Sequence, residues 1–320
     1  MKQTSLKSNF LFNLIYQILA VITPIFTTPY ISRVLSADGI GKYSYALSIV
    51  TYFGIFGCLG TATYGQLEIA RNRDNKKLLH KTVSEIFFGR LVTLMISLLI
   101  YFVVILKASK QYKLLYSVLS LYILGQMNDV SFILQGLEWF KMLAMRNIII
   151  KVLNIVLIFA LVREHNDLYI YAIIIHGITL IGNFSLWPQV IKYIKPKSFK
   201  NMNIIQHWKK SMIYFIPTVA TMVYTVLDKS MIGWITGSEF QNGYYEQAYK
   251  IEQILLVFVT TVGTVTFPRM AYFFENDNKE ERKRIMGITM KFIMLIACPI
   301  CFGTMAISEN LIPVFLGKGY

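Results

Sequence analysis

Charge is what this chain has least of. Only 15% of its 320 residues are Asp, Glu, Lys or Arg, against roughly 25% in an ordinary soluble domain. The scarcity is patterned: no charged side chain falls between Lys7 and Arg33, between Lys42 and Glu68, or between Arg90 and Lys107. About 20 apolar residues cross a bilayer as a helix, so these runs exclude a soluble fold and predict a polytopic membrane protein. Cysteine is scarce too, with three residues. Cys298 and Cys301 have CxxC spacing, but a zinc site needs four ligands, and no second pair lies near them. Catalytic signatures are missing as well. There is no HExxH, GxSxG, P-loop or glycine-rich dinucleotide turn, and His80, His165, His176 and His207 are far apart in sequence. The stretches between apolar runs are too short to build an external catalytic domain. An enzyme is not expected, and no cofactor or metal is.

What is present in excess is Lys and Arg, giving a net charge of +15. Basic residues collect in the cytoplasmic loops of membrane proteins, so the charge points to the lipid bilayer and not to nucleic acid. Nine spans are predicted, at roughly 9–32, 43–67, 85–106, 114–137, 143–162, 168–191, 211–236, 250–271 and 285–307. With the N-terminus inside, 21 Lys and Arg fall in inner segments and 8 in outer ones. That asymmetry predicts a cytoplasmic N-terminus. Pro24 and Pro29 in the first span and Pro217 in the seventh predict bends there. The basic stretch 192–210 reads as a linker on the inner surface, where it would meet anionic lipid.

The chain also repeats itself. Gly41, Tyr43 and Ala46 map onto Gly243, Tyr245 and Ala248 at an offset of 202 residues, and Arg90 maps near Lys291. Six spans fill residues 1–200 and three more fill 201–320. An even number of spans per unit gives two units of the same orientation, as in transporters built from parallel repeats. A second unit of three spans would be incomplete, so the chain reads as a fragment whose second lobe is truncated.

Five charges within the predicted spans stand out: Arg90, Asp129, Asp228, Lys229 and Lys291, with Arg33 at the end of the first. Each costs about 2.5–3.5 kcal/mol at mid-bilayer on insertion scales, so each needs a partner or a wet cavity. Three of the five are basic. A cavity lined by Arg33, Arg90, Lys229 and Lys291 would suit an anionic cargo, phosphate or pyrophosphate above all. The competing reading is local, with Arg90 or Lys291 snorkelling to the surface and Asp228 paired to a neighbour.

Several motifs resemble the Wzx-type polysaccharide repeat-unit flippases of the MOP superfamily. They are Thr28-Pro29-Tyr30-Ile31-Ser32-Arg33-Val34-Leu35, Gly39-Ile40-Gly41-Lys42-Tyr43-Ser44 and Tyr64-Gly65-Gln66-Leu67-Glu68-Ile69-Ala70-Arg71. Leu227-Asp228-Lys229-Ser230-Met231-Ile232-Gly233, Gly243-Tyr244-Tyr245-Glu246-Gln247-Ala248 and the terminal Glu309-Asn310-Leu311-Ile312-Pro313-Val314-Phe315-Leu316-Gly317-Lys318-Gly319 continue the likeness. The resemblance implies an all-α, two-lobed bundle of six-helix repeats: an N-lobe in 1–200 and the first three helices of a C-lobe in 201–320. It implies a cargo of undecaprenyl-pyrophosphate-linked oligosaccharide, flipped from the inner to the outer leaflet of the bacterial cytoplasmic membrane by alternating access. Partners implied are the polysaccharide polymerase and chain-length machinery. Proton or sodium coupling is usual in the superfamily, with Asp129 and Asp228 the candidates here. The alternatives are a cation-coupled multidrug exporter of the same superfamily and a membrane polysaccharide polymerase.

Overall fold

The computed structural model describes residues 6–108, 112–195, 202–275 and 279–320. Within them the chain is helical, as it must be where no water can satisfy a free backbone group. The helices are α1 (Leu6–Cys58), α2 (Thr61–Asn72), α3 (Lys76–Ala108), α4 (Lys113–Met127), α5 (Ser131–Gly136) and α6 (Phe140–Leu161). They continue with α7 (Leu168–Phe184), α8 (Trp187–Val190), α9 (Ile204–Thr225), α10 (Leu227–Thr236), α11 (Glu239–Glu275) and α12 (Lys279–Phe315).

Among the described residues six helices are long and apolar enough to cross a membrane, and the bent pair α9–α10 makes a seventh if it is one span. The first of these runs 55 residues, Ile18–Asn72. Straight, it would be about 80 Å long at 1.5 Å per residue, far beyond the 30 Å hydrocarbon core. It therefore holds two passes. The division falls at Ser36, whose φ of 56° and ψ of 174° interrupt α1. Tyr30, before the break, donates to the Val162 carbonyl at the end of α6, and Tyr43, after it, meets His176 within α7. The two halves of α1 thus descend from one common end of the bundle. We call this the Ser36 end; Tyr112, Val162, His165 and Glu239 lie there too.

The opposite end carries Gly60. Here Leu59 (φ 47°) and Gly60 (φ 68°) separate α1 from α2. A Cβ on Gly60 would sit 2.6 Å from the Phe215 amide nitrogen, so this position needs glycine for both its backbone angle and the approach of α9. Proline does not mark these breaks. Helices α1 and α9 run on through Pro24, Pro29 and Pro217, and the interruptions come at Ser36 and at Val226, where α9 and α10 meet at 42°. Part of the basic linker, residues 196–201, lies outside the described residues.

Two apolar clusters hold the first 190 residues together. One, around Leu35, Val50, Leu94, Leu119, Ile123 and Ala172, joins α1, α3, α4 and α7. The other, around Ile69, Val83, Ile86, Phe132 and Leu134, joins α2, α3 and α5 near the Gly60 end. Helix α12, by contrast, has no buried residue among those described.

Candidate functional site

Helices α1 and α11 pack more extensively against each other than any other pair, and their contact is reciprocal. A Cβ on Gly41 would fall on the carbonyl of Glu239, and a Cβ on Gly243 would fall on the carbonyl of Ala37. Residues 37 and 239 differ by 202, as do 41 and 243. The same contact is therefore made twice, once in each direction, as across a two-fold axis. Only glycine lets two backbones approach this closely in a membrane. Beside the axis, Ser44 Oγ donates to Glu246 Oε2 at 2.8 Å, and these positions are again 202 apart.

Charged groups surround this contact. Glu246 Oε2 is 2.7 Å from Lys229 Nζ, and Oε1 is 3.8 Å from Lys250 Nζ. The Lys229 ammonium also lies over the Tyr249 ring, 4.5 Å from its centre. Asn242 Nδ2 donates to the Lys229 carbonyl at 2.8 Å, fixing α10 on α11. Asp228, in the first turn of α10, accepts from Tyr245 OH at 2.7 Å; an acid there also complements the helix dipole. Nearer the Ser36 end, Lys42 lies 3.1 Å from Glu239 and 3.4 Å from Asp38, which is 3.2 Å from His165. Tyr112 donates to Glu239, and Tyr52 bonds Ser230.

A second polar group sits toward the Gly60 end. Arg90 on α3 is 2% exposed. Its Nη2 donates to the backbone and side-chain oxygens of Gln126, at 3.1 and 3.3 Å, and lies 3.9 Å from Asp129 Oδ2. The guanidinium faces the Phe132 ring. Among the described residues its Nε and Nη1 have no hydrogen-bond partner, although a buried donor left unpaired is costly. Asp129 sits in the α4–α5 break, where Oδ1 accepts from the Ser131 amide at 2.9 Å. At the same end, His207 bridges Glu85 (3.0 Å) and Tyr64 (2.7 Å), and Glu85 also accepts from the Asn203 amide. This array ties the start of α9 to α2 and α3.

The residues singled out from sequence do not form one site. Arg90 and Asp129 meet each other. Asp228 and Lys229 are consecutive, but each has its own partner on α11. Arg33 is exposed and donates to the Val314 carbonyl at 2.7 Å, and Lys291 is exposed on α12. Sequence reasoning missed Glu246, Lys250, Ser44, Glu85 and His207. Glu246 had a legible signal: it falls in the repeated Gly-x-Tyr-x-x-Ala segment, where its counterpart is Ser44.

Comparison with known proteins adds a lineage. The family model described as polysaccharide biosynthesis protein matches residues 6–274. A protein of Shigella dysenteriae named for O-antigen transport is 24% identical over 302 residues, spanning 93% of this chain and 74% of its own length. A Haloferax volcanii protein named as a flippase of low-salt glycan biosynthesis is 22% identical over 127 residues, or 40% of this chain and 26% of its own. Among solved structures, an inward-facing multidrug resistance transporter of the MATE family, within the MOP superfamily, superposes with a TM-score of 0.64. It shares 14% identity, covering 92% of this chain and 75% of that one.

Proposed function

This chain belongs to the polysaccharide biosynthesis protein family and has the fold of the MOP superfamily, and from that premise we propose that it flips lipid-linked oligosaccharide repeat units across a membrane. The cargo is an oligosaccharide on undecaprenyl pyrophosphate, moved from the inner to the outer leaflet of the bacterial cytoplasmic membrane by alternating access. The N-terminus and the Gly60 end face the cytoplasm, which follows from the bias of Lys and Arg. Residues 1–200 form one lobe and 201–320 belong to the other. The flipped unit passes on to the polymerase and chain-length machinery.

The observation that carries the reading is Arg90. A guanidinium buried in a membrane-spanning helix, with two nitrogens unpartnered among the described residues, is a group that phosphate oxygens complement in bidentate fashion. Lys229, paired with Glu246 on α11, is a second cation at a separate place in the bundle. Arg33 and Lys291, both exposed, take peripheral roles. Gradient coupling, by proton or sodium, falls to the carboxylates of the bundle, with Asp129 and Asp228 in reach of the cations or beside them.

The test is a lipid extraction from cells lacking the gene, with and without complementation. The expected result is build-up of complete single repeat units on the inner leaflet, with surface polymer lost. Units accumulating on the outer face would assign the step to polymerisation instead. Raised drug sensitivity with no build-up would assign an exporter, and either result overturns the proposal.

A further inference from the structure

We propose that Arg146 is a positioning residue for the anion site at Arg90, acting as a splint across the break between α4 and α5. This rests on the reading of Arg90 above and accounts for how that guanidinium is aimed.

The break itself sets the problem. Lys113–Gly136 is long and apolar enough for one span, yet α4 stops at Met127 and α5 starts at Ser131. An unbroken helix would pair the Gly125 carbonyl with the Asp129 amide and the Gln126 carbonyl with the Val130 amide. Here the Gly125 carbonyl accepts from Asn183 Nδ2 at 2.8 Å, and the Asn128 carbonyl accepts from Trp187 Nε1 at 3.2 Å. The Gln126 carbonyl keeps a long bond from the Asp129 amide, 3.4 Å, and takes Arg90 Nη2 at 3.1 Å. Carbonyls freed inside a span must be answered from within the protein, and one of those freed here is what holds Arg90.

Arg146 reaches both sides of this break. It lies in the second turn of α6, and its guanidinium acts as a fork: Nη1 donates to Asn183 Oδ1 and Nη2 to Ser131 Oγ, both at 2.6 Å. Asn183 passes the hold to Gly125, next to Gln126. Ser131 passes it through its amide to Asp129 Oδ1 at 2.9 Å, and Asp129 Oδ2 lies 3.9 Å from Arg90 Nη2. Two chains of contacts thus run from one guanidinium to the other, one on each side of the break. Asn183 and Ser131 are both buried, so water does not stand in for either arm. The splint needs a planar fork, because a lysine ammonium in its place is a single point of charge. Its effect is to pin Arg90 by Nη2 before any ligand arrives, and an anion binding a preordered donor loses less to ordering it.

The experiment is a double-mutant cycle on the full chain in lipid nanodiscs, read by titration with inorganic pyrophosphate, with amide exchange of residues 128–131 measured in the absence of the anion. Arg90→Gln should lower pyrophosphate affinity about tenfold, which tests the reading of Arg90 by itself. Arg146→Lys keeps the charge and loses the fork; it should also lower affinity about tenfold and speed exchange at 128–131. In the Arg90→Gln background the same change should cost no further affinity, because its whole effect passes through Arg90. A merely structural role would lower the melting temperature and leave the affinity of the folded protein unchanged. Should Arg146→Lys fail to fold, Ser131→Ala removes one arm and should lower affinity about threefold. Wild-type affinity in Arg146→Lys, or in Ser131→Ala where that variant stands in, overturns the splint. A full further loss when Arg90 is already absent overturns it too, since Arg146 would then act on the anion independently. Unchanged affinity in Arg90→Gln overturns the reading of Arg90 instead. Exchange at 128–131 then decides the splint, and a wild-type rate in Arg146→Lys overturns it.

Discussion

Residues 37–58 and 239–260 are one helix used twice. Both start one residue after a serine, Ser36 or Ser238, and both lay a glycine on the carbonyl of the other. Their surroundings then diverge. Where the second copy has Glu246 and Lys250, the first has Ser44 and Ser48; where α10 offers Asp228 and Lys229, the equivalent stretch of α1 has Phe26 and Thr27. The first copy ends at Leu59 and Gly60 and hands over to α2, whereas α11 runs on unbroken to Glu275. Backbone geometry is shared because the close contact tolerates no alternative. Charge is free to differ: the second copy carries Glu246 and Lys250, and the first carries Asp38 and Lys42 where the second has Phe240 and Tyr244. A symmetric frame thus holds a different set of ionisable groups in each half.

The largest effect should come from filling the shared contact. Gly41→Val and Gly243→Val each drive side-chain atoms into a backbone carbonyl, an overpacking that costs about 1–3 kcal/mol or more. Both should lower the melting temperature in detergent and abolish glycan export, and by similar amounts. If one is tolerated and the other is not, the two-fold relation fails. Next comes the pair of equivalent residues at the axis. Glu246→Ala strands two ammonium groups and should destabilise by about 3–5 kcal/mol, whereas Ser44→Ala loses a single hydrogen bond to a charged group, about 1.5–3 kcal/mol. Equal losses would show that charge does not distinguish the two copies.

A third test moves the acid across the axis. Ser44→Glu combined with Glu246→Ser returns a carboxylate to the reach of Lys229 from the other helix, and it should recover part of the stability that Glu246→Ser alone loses. No recovery in thermal unfolding would mean that the helix carrying the acid matters as well as its charge. The smallest effect is expected at the Gly60 end, where Tyr64→Phe removes one hydrogen bond to His207, worth about 1 kcal/mol. That change should leave the amide exchange of residues 239–246 untouched, because it lies at the other end of the bundle.

Much of the fold was legible because charge is so costly in lipid. Alternating ends at Ser36, Gly60, Tyr112, Asn128, Val162 and Ser185 turn the helices into the passes that the charge-free runs predicted. The breaks were not legible. Pro24, Pro29 and Pro217 signal bends, yet the chain is interrupted at Ser36 and Val226, where tertiary packing and not local propensity decides. The site was legible in half. Asp228 and Lys229 stand out as charges in an apolar run, but the carboxylate that answers Lys229 is 17 residues on. It lies between the predicted seventh and eighth spans, and only the packing of α10 on α11 brings them together. Arg90 was equally visible, while its burial against Gln126 and Phe132 depends on how α3, α4 and α5 meet.

The glycine contact bears on leakage. A flippase must pass something much wider than an ion, so any path open at both ends would short-circuit the membrane. A carbonyl oxygen laid directly on a glycine Cα leaves no room for a water molecule, which needs about 30 Å³. Backbone against backbone is a firmer barrier to a water file than side chains, which can swing aside. The paired glycines 41 and 243 therefore seal the α1–α11 contact against water as tightly as two backbones can.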